Sequence, residues 1–242
     1  MKVSLFVTCL VDVFYPEVGK SVVDILEESG VDVDFPMSQT CCGQPAFNSG
    51  YQKQSRETAK QLIRSFAGSE YVVAPSGSCV SMIKHYYPKL FEDDPSWRRE
   101  AEALAKKTFE LTDFLVNVLK MTDLGTALQD SATYHHSCHM NRELGVKEEP
   151  LQLLSLVEGL KLEELSYCQD CCGFGGTFAV KMNEISTAMA DEKIKQIEST
   201  GANLVVGADM GCLMHLSGRM RRTGKSMRVM HIAEVLAKGG KS

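Results

Sequence analysis

Hydrophobic residues along this chain fall into short continuous runs and into longer stretches with helical spacing. Three runs rich in β-branched and aromatic residues predict strands in the first half: 3–8, 31–35 and 71–74. Apolar residues at helical spacing predict a helix over 18–26, which Gly30 ends, and a longer helix over about 52–66. This alternation favours a parallel sheet with helices on both sides.

The second half of the chain repeats this order. Two similar runs predict strands, 132–136 and 203–206. Pro150 opens a helix that carries Leu153 and Leu154, and a long helix follows over about 184–199. The repeated order indicates that one structural unit has been duplicated within the chain.

We therefore predict an α/β protein made of two tandem, duplicated Rossmann-like domains, each with a parallel sheet flanked by helices. The first domain is expected over residues 1–122 and the second over residues 131–242. An acidic, polar stretch at 92–107 predicts an additional surface helix, and Gly-rich turns are expected at 76–79 and 209–212.

Cysteines repeat with the same register as the predicted elements. The first half contains one cysteine, then a Cys-Cys-Gly sequence, then another cysteine: Cys9, Cys41, Cys42 and Cys79. The second half repeats this arrangement about 130 residues later. Its members are Cys138, Cys171, Cys172 and Cys212. Most of these cysteines follow predicted strands, and open α/β sheets bind ligands at the carboxyl ends of strands.

Two simpler interpretations of the cysteines carry less weight. A single cysteine is often a small buried hydrophobic residue, but scattered core cysteines would not keep the register of a duplication. A disulfide framework is disfavoured because the nine cysteines are odd in number and the chain starts without a secretory signal pattern. The duplication therefore favours a metal or redox function.

Composition and charge narrow the class of protein further. The 242 residues are 44% hydrophobic and carry a net charge of −5, which disfavours nucleic acid as a partner. A local basic cluster is interpreted as a solvated helix end rather than a docking patch: Arg219, Arg221, Arg222, Lys225 and Arg228. No apolar run approaches the roughly 20 residues that span a bilayer, so we expect no direct membrane insertion, and any link to a membrane must go through a partner.

Iron–sulfur clusters and zinc are the two main options for the cysteines, and all eight are candidate ligands. Structural zinc usually binds closely spaced cysteine pairs, whereas each set here comes from three distant segments and includes two adjacent residues. A polynuclear cluster accepts such ligands more easily, so iron–sulfur is favoured over zinc. Glycines at Gly43 and at 173–176 would allow the backbone close to a bulky group and provide amide donors.

The second half has residues that the first half lacks. Cys168 is a fifth cysteine, which we interpret as a bystander more readily than as a ligand. His135, His136 and His139 flank Cys138 and could be ligands or proton-coupled neighbours, although an oriented structural role is the commoner outcome.

These motifs resemble the cysteine-rich "CCG" domain, which also occurs in heterodisulfide reductase and in the iron–sulfur subunits of glycolate oxidase and anaerobic glycerol-3-phosphate dehydrogenase. A chain of this length with two such domains is similar to the lactate utilisation protein A (LutA/YkgE) family. The resemblance covers nearly the whole chain and is carried by residues 40–50, 134–139 and 171–176.

The resemblance implies a cytoplasmic subunit that carries electrons in a complex oxidising L-lactate to pyruvate. Its partners would be LutB-like and LutC-like proteins, and its cofactor one iron–sulfur cluster per domain, of 4Fe-4S type. The fullest form of the motif ends in Cys-x-x-Cys, but Ser76 and Asp209 occupy the first of those positions here. This departure argues against the non-cubane cluster of heterodisulfide reductase and for a simpler four-cysteine cluster.

The leading hypothesis is thus an iron–sulfur electron-transfer subunit of an oxidoreductase that is inactive on lactate by itself. No Gly-x-Gly-x-x-Gly sequence opens a helix after a strand, so no nicotinamide or flavin site is expected. The alternatives are a thiol or disulfide reductase subunit and a non-redox zinc-binding scaffold.

Overall fold

The structure, a computed structural model, describes residues 1–237. The last five residues, 238–242, belong to the second predicted domain and lie outside the described part. Within residues 1–237, no helix combines the length and apolar composition that crossing a bilayer requires.

The first sheet contains four parallel strands in the order β2-β1-β3-β4. Their bounds are β1 Lys2–Leu5, β2 Asp32–Asp34, β3 Tyr71–Ala74 and β4 Thr108–Glu110. In the register, Leu5 lies opposite Val73, and Ala74 lies opposite Glu110. The central strands β1 and β3 are almost entirely buried, as expected for a parallel sheet covered on both faces.

The helices of the first half begin after the strands and cover the sheet. They are α1 Cys9–Phe14, α2 Pro16–Glu28, α3 Gln44–Asn48, α4 Gln52–Ser65, α5 Gly77–Ser81, α6 Tyr87–Leu90, α7 Pro95–Lys107 and α8 Leu111–Asp113. Two π-helical turns, Met82–Tyr86 and Phe114–Val118, extend this set. The predicted surface helix begins at Pro95 because the Asp94 side chain caps it by accepting a hydrogen bond from the Trp97 N–H.

The second sheet has the equivalent order, β6-β5-β7-β8, and is also parallel. Its strands are β5 Ala127–His135, β6 Glu158–Glu163, β7 Leu204–Gly207 and β8 Arg228–His231. Its helices are a π-helical turn at His139–Leu144, α9 Glu148–Ser155, α10 Phe178–Lys181, α11 Asn183–Ser199, α12 Met210–Arg222 and α13 Ile232–Leu236. The predicted α/β fold with two duplicated parallel sheets is confirmed. The domain boundaries at 122 and 131 stay a prediction.

The two halves share part of their hydrophobic core. Helix α2 packs against α13, and one continuous cluster includes Val22 and Leu26 of α2 with Leu236 of α13. A second cluster has all its buried members in the first half, among them Phe6 and Phe66. Because apolar burial is the main stabilising term in folding, we expect the two halves to unfold together.

The segments predicted as Gly-rich turns after β3 and β7 are instead helix starts. Ser76 has an extended backbone, and its Oγ accepts a hydrogen bond from the Cys79 N–H at the start of α5. Asp209 is the equivalent cap of α12 and accepts from the Gly211 N–H. Serine and aspartate are favoured at this position because their side chains satisfy N–H groups that the helix leaves free.

Candidate metal centre

The carboxyl ends of three strands bring the four cysteines of each half together. In the first half, Cys9 follows β1, the Cys41-Cys42 pair follows β2, and Cys79 lies in the first turn of α5 after β3. Parallel strands end at the same edge of a sheet, so residues that are distant in sequence meet there. The second half uses β5, β6 and β7 in the same way.

The first cysteine set is compact. The Sγ atoms of Cys9 and Cys41 lie 3.7 Å apart, and those of Cys42 and Cys79 lie 3.5 Å apart. Cys42 and Cys79 are buried, whereas Cys9 is exposed. The Tyr87 hydroxyl donates a 2.8 Å hydrogen bond to the Cys42 carbonyl and so fixes the backbone of the pair.

A glycine in the left-handed conformation shapes the turn after each cysteine pair. Gly43 has φ +81° and Gly173 has φ +86°. Each donates its N–H to the first cysteine of the preceding pair at 3.4 Å, Gly43 to Cys41 and Gly173 to Cys171. A Cβ on Gly173 would lie 2.6 Å from the carbonyl oxygen of Ser186. Position 173 therefore requires glycine, both for its left-handed backbone and for the space beside the Ser186 carbonyl.

In each set, the first thiol of the adjacent cysteine pair has a lowered pKa. Hydrogen bonds from Cys42 and then Cys9 lower the pKa of Cys41 to about 3. Hydrogen bonds from Cys138 and then Cys172 lower the pKa of Cys171 to about 2. The pKa values of the donating thiols are raised, because they hydrogen-bond to Cys41 or Cys171 and are partly or fully buried. The first thiol of each adjacent pair thus favours the thiolate form, which is the form that binds metals.

The two sets face one another across a single cavity of about 180 Å³. All eight candidate cysteines line it. The two sets therefore share one space between the halves, and one site in each half stays a prediction.

Contacts between equivalent positions hold the two halves together beside this cavity. Asp209 Oδ2 accepts hydrogen bonds from the Ser76 Oγ at 3.2 Å and the Ser78 N–H at 2.9 Å. Ser76 and Asp209 also form an isolated antiparallel bridge. Since both residues cap the helix that carries the last cysteine of their half, the halves meet through corresponding positions. Ser76 and Asp209, which stand where the fuller motif has a cysteine, thus cap their helices and join the two halves.

The donor chemistry of the cavity fits a thiophilic metal centre. Each half offers four thiols from three separate segments, two of them buried, and one backbone N–H that donates to a cysteine sulfur. Thiolates are the ligands of iron–sulfur clusters and of many zinc sites. The residues present therefore fit either an iron–sulfur cluster or zinc.

The other predicted candidates occupy different places. Cys168 does not line the cavity; it is half-buried and packs against the hydrophobic core. His136 packs its ring against Tyr134, with centroids 4.9 Å apart. His139 lines the cavity, with Nδ1 3.7 Å from the Cys138 Sγ and Nε2 3.5 Å from the Gln44 Nε2. Gln44 was not predicted from the sequence, and only its position directly after Cys-Cys-Gly indicates its role.

His135 differs from these two histidines because it is buried behind the cysteines. It is 1% exposed, and burial lowers its pKa to about 4. One of its ring nitrogens and the sulfur atoms of Cys172 and Cys212 all lie within 4.8 Å of one another.

Comparison with known proteins agrees with this architecture. The cysteine-rich CCG domain matches the chain twice, over residues 3–84 and 132–217. "Lactate utilization protein A 2" of Bacillus cereus (strain 03BB102) is 63% identical over 239 residues, with 99% of each chain covered. "Lactate utilization protein A" of Geobacillus kaustophilus (strain HTA426) is 60% identical over 236 residues, with 98% of each chain covered. The chain belongs to the lactate utilization protein A family.

One solved structure shows how far the fold extends beyond this family. A hypothetical protein from Helicobacter pylori superposes with a TM-score of 0.71 at 11% identity. The match covers 100% of this chain and 49% of that chain. At this identity the likeness shows the fold alone. Because the match covers the whole of this chain, the arrangement of two sheets also occurs in that protein.

Proposed function

We propose that this chain is an iron–sulfur electron-transfer subunit in the oxidation of L-lactate to pyruvate. Its place in lactate use is supported by the names of its relatives in the lactate utilization protein A family. The observation that carries the electron-transfer role is the arrangement of two four-thiol sets around one cavity. Its partners in this proposal are LutB-like and LutC-like proteins.

The cysteines would hold one cluster in each half. Cys9, Cys41, Cys42 and Cys79 form the first donor set, and Cys138, Cys171, Cys172 and Cys212 form the second. A bound iron–sulfur cluster supplies one-electron transfer, and two such centres match the two electrons that lactate releases. The N–H groups of Gly43 and Gly173 donate to ligand sulfur, which is one of the means by which a protein sets a cluster's potential.

The chain itself is not proposed to oxidise lactate. Removal of hydride from a hydroxy acid normally needs an organic cofactor, and the sequence has no nucleotide-binding fingerprint. In the described part of the chain, the residues lining the cavity include no arginine or lysine that could bind the lactate carboxylate. We place the lactate site on a partner protein of the complex.

Anaerobic purification tests this proposal. We expect brown protein containing iron and acid-labile sulfide, with an EPR signal on reduction, and no lactate-dependent dye reduction by the isolated chain. Adding the partner proteins should restore lactate-dependent reduction of the clusters. Colourless protein without sulfide, or rapid lactate oxidation by the chain alone, would overturn it.

A zinc-binding scaffold is a second candidate because of the spacing of the sulfur atoms. A tetrahedral ion with zinc–sulfur bonds of about 2.3 Å separates its ligands by about 3.8 Å. The observed separations of 3.7 and 3.5 Å come close to this value. Zinc analysis on the same preparation distinguishes the two, since this candidate requires zinc without sulfide.

A further inference from the structure

The two halves have different residues at the buried position three residues before the first cysteine. Phe6 lies three residues before Cys9, and His135 lies three residues before Cys138. Both are 1% exposed, so the two side chains fill corresponding buried positions. An aromatic hydrocarbon suits that position, whereas an imidazole has two nitrogens that need partners.

Neither ring nitrogen of His135 has a hydrogen-bond partner among the described residues. His231, which is 0% exposed, shows how a buried histidine of this protein is satisfied. Its Nε2 lies 3.2 Å from the carbonyl oxygen of Pro75, and its Nδ1 accepts from the Ala233 N–H. A buried polar group without a hydrogen-bond partner costs free energy. An unpartnered histidine nitrogen beside a cluster of thiols therefore points to a bound group that the nitrogen contacts.

The surroundings of His135 fit a metal ion as the bound group. One ring nitrogen, the Cys172 Sγ and the Cys212 Sγ lie within 4.8 Å of one another, and all three residues are buried. Imidazole nitrogen and thiolate sulfur together bind both zinc and the iron of some iron–sulfur clusters. Phe6 provides no such donor to the first set.

We propose that His135 is a nitrogen ligand of the metal centre of the second cysteine set, where it occupies the coordination position of one of the four thiolates, so that the two centres of this chain differ in ligand type. The inference rests on the proposed function only in requiring a bound metal. A histidine ligand raises the potential of an iron–sulfur centre relative to an all-cysteine one. The second centre should therefore be reduced at a higher potential than the first.

Pulsed EPR on chain labelled with ¹⁵N-histidine, reconstituted with Fe²⁺ and sulfide and then reduced, tests the assignment. We expect the strong nitrogen coupling of a directly bound imidazole. It should disappear in His135→Phe, which gives the second half the residue of the first. It should persist in His136→Phe, a control that keeps an aromatic ring against Tyr134. Absence of the coupling in the unmutated chain, or its persistence in His135→Phe, would overturn the proposal.

Two further experiments test the assignment if His135→Phe does not fold or if no iron–sulfur centre forms. If His135→Phe does not fold, coupling that persists in both His136→Phe and His139→Phe still supports His135, and coupling lost in His139→Phe contradicts it. If no iron–sulfur centre forms, the proposed function fails, and the chain is loaded with Zn²⁺ instead. X-ray absorption at the zinc edge then shows a nitrogen ligand that depends on His135, or shows sulfur ligands alone and refutes it.

Discussion

The two halves keep the same cysteines but surround them with different residues. Both sets have a cysteine pair followed by a left-handed glycine whose N–H donates to sulfur, and a serine hydroxyl that donates to that glycine's carbonyl oxygen. The position behind the cysteines is Phe6 in one half and His135 in the other. The duplication has thus preserved the cysteines and changed the residue that lies next to them. This is the arrangement expected if two centres are to have different potentials in one chain.

A second pair of corresponding positions differs in charge. Glu110 ends β4 and caps α8, and its counterpart His231 ends β8 and caps α13. Burial raises the pKa of Glu110 to about 8, and burial lowers the pKa of His231 to about 4. The same helix cap is therefore formed by a glutamate that favours its protonated form in one half and by a histidine that favours its neutral form in the other. The contributions of Glu110 and His231 to stability should therefore change with pH in opposite directions.

Removal of a buried ligand from either set should have the largest effect. Cys42→Ser and Cys172→Ser should each lose one of the two centres and lower lactate-dependent electron transfer by the reconstituted complex more than about 100-fold. Loss of a residue that only hydrogen-bonds to a metal ligand already costs up to about that much. Serine oxygen is a harder ligand and a poor replacement for thiolate on iron. Iron content and turnover of each variant are the measurements.

Cys168→Ser is the matched control for these ligand variants, because Cys168 packs against the core and lies outside the cavity lining. It should keep its iron and most of its activity. A Cys172→Ser variant with normal iron beside a Cys168→Ser variant without it would show that the donor set of the second half is assigned wrongly.

The pH dependence of unfolding should separate Glu110 from His231. The folded-state pKa of Glu110 lies above its ordinary 4.5, so its contribution is complete below about pH 4.5 and is lost as pH rises to about 8. The folded-state pKa of His231 lies below its ordinary 6.5, so its contribution is complete above about pH 6.5 and is lost as pH falls to about 4. At roughly 1.4 kcal/mol per pKa unit, the losses are at most roughly 5 and 3 kcal/mol.

Urea unfolding of the metal-free chain and of two variants, from pH 4 to 8, measures these contributions. Glu110→Gln should gain stability relative to the unmutated chain as pH rises, whereas His231→Gln should gain relative stability as pH falls. Parallel pH profiles for all three proteins would show that neither group titrates as its burial requires.

The two glycines after the cysteine pairs should tolerate alanine unequally. Gly43→Ala places a Cβ 3.3 Å from the Ser55 Oγ and should cost about 1–2 kcal/mol, mainly for the left-handed backbone. Gly173→Ala brings a Cβ 2.6 Å from a backbone oxygen and should cost about 3 kcal/mol, because backbone cannot turn away as a side chain can. Gly176→Ala, with φ +62° and no atom within 4 Å, is the control for backbone strain alone. Equal losses at Gly43 and Gly173 in urea unfolding would contradict the steric explanation.

Much of this organisation could be predicted from the sequence, because it depends on local patterns. The buried strand β3 lies where its run of β-branched and aromatic residues predicts it, and α4 begins at the expected Gln52. The edge strands β4, β6 and β8 were not predicted, since three to six residues of mixed polarity carry little periodic signal. The cysteine sets could be grouped correctly because the duplication keeps their register.

The relation between the two sets could not be predicted, since it depends on how the halves pack. No local pattern indicates that Ser76 contacts Asp209, or that both cysteine sets line one cavity. The sequence does show a histidine where its own first half has Phe6. Only the structure shows that both nitrogens of that histidine lack partners among the described residues.

The most direct test of two centres facing one cavity is EPR of the fully reduced, reconstituted chain. We expect two spins per chain with signals broadened by magnetic interaction, because both sets line the same space of about 180 Å³. Cys42→Ser and Cys172→Ser should each leave a single, sharper signal. One spin per chain, or two signals that remain unchanged when the other centre is removed, would contradict the account.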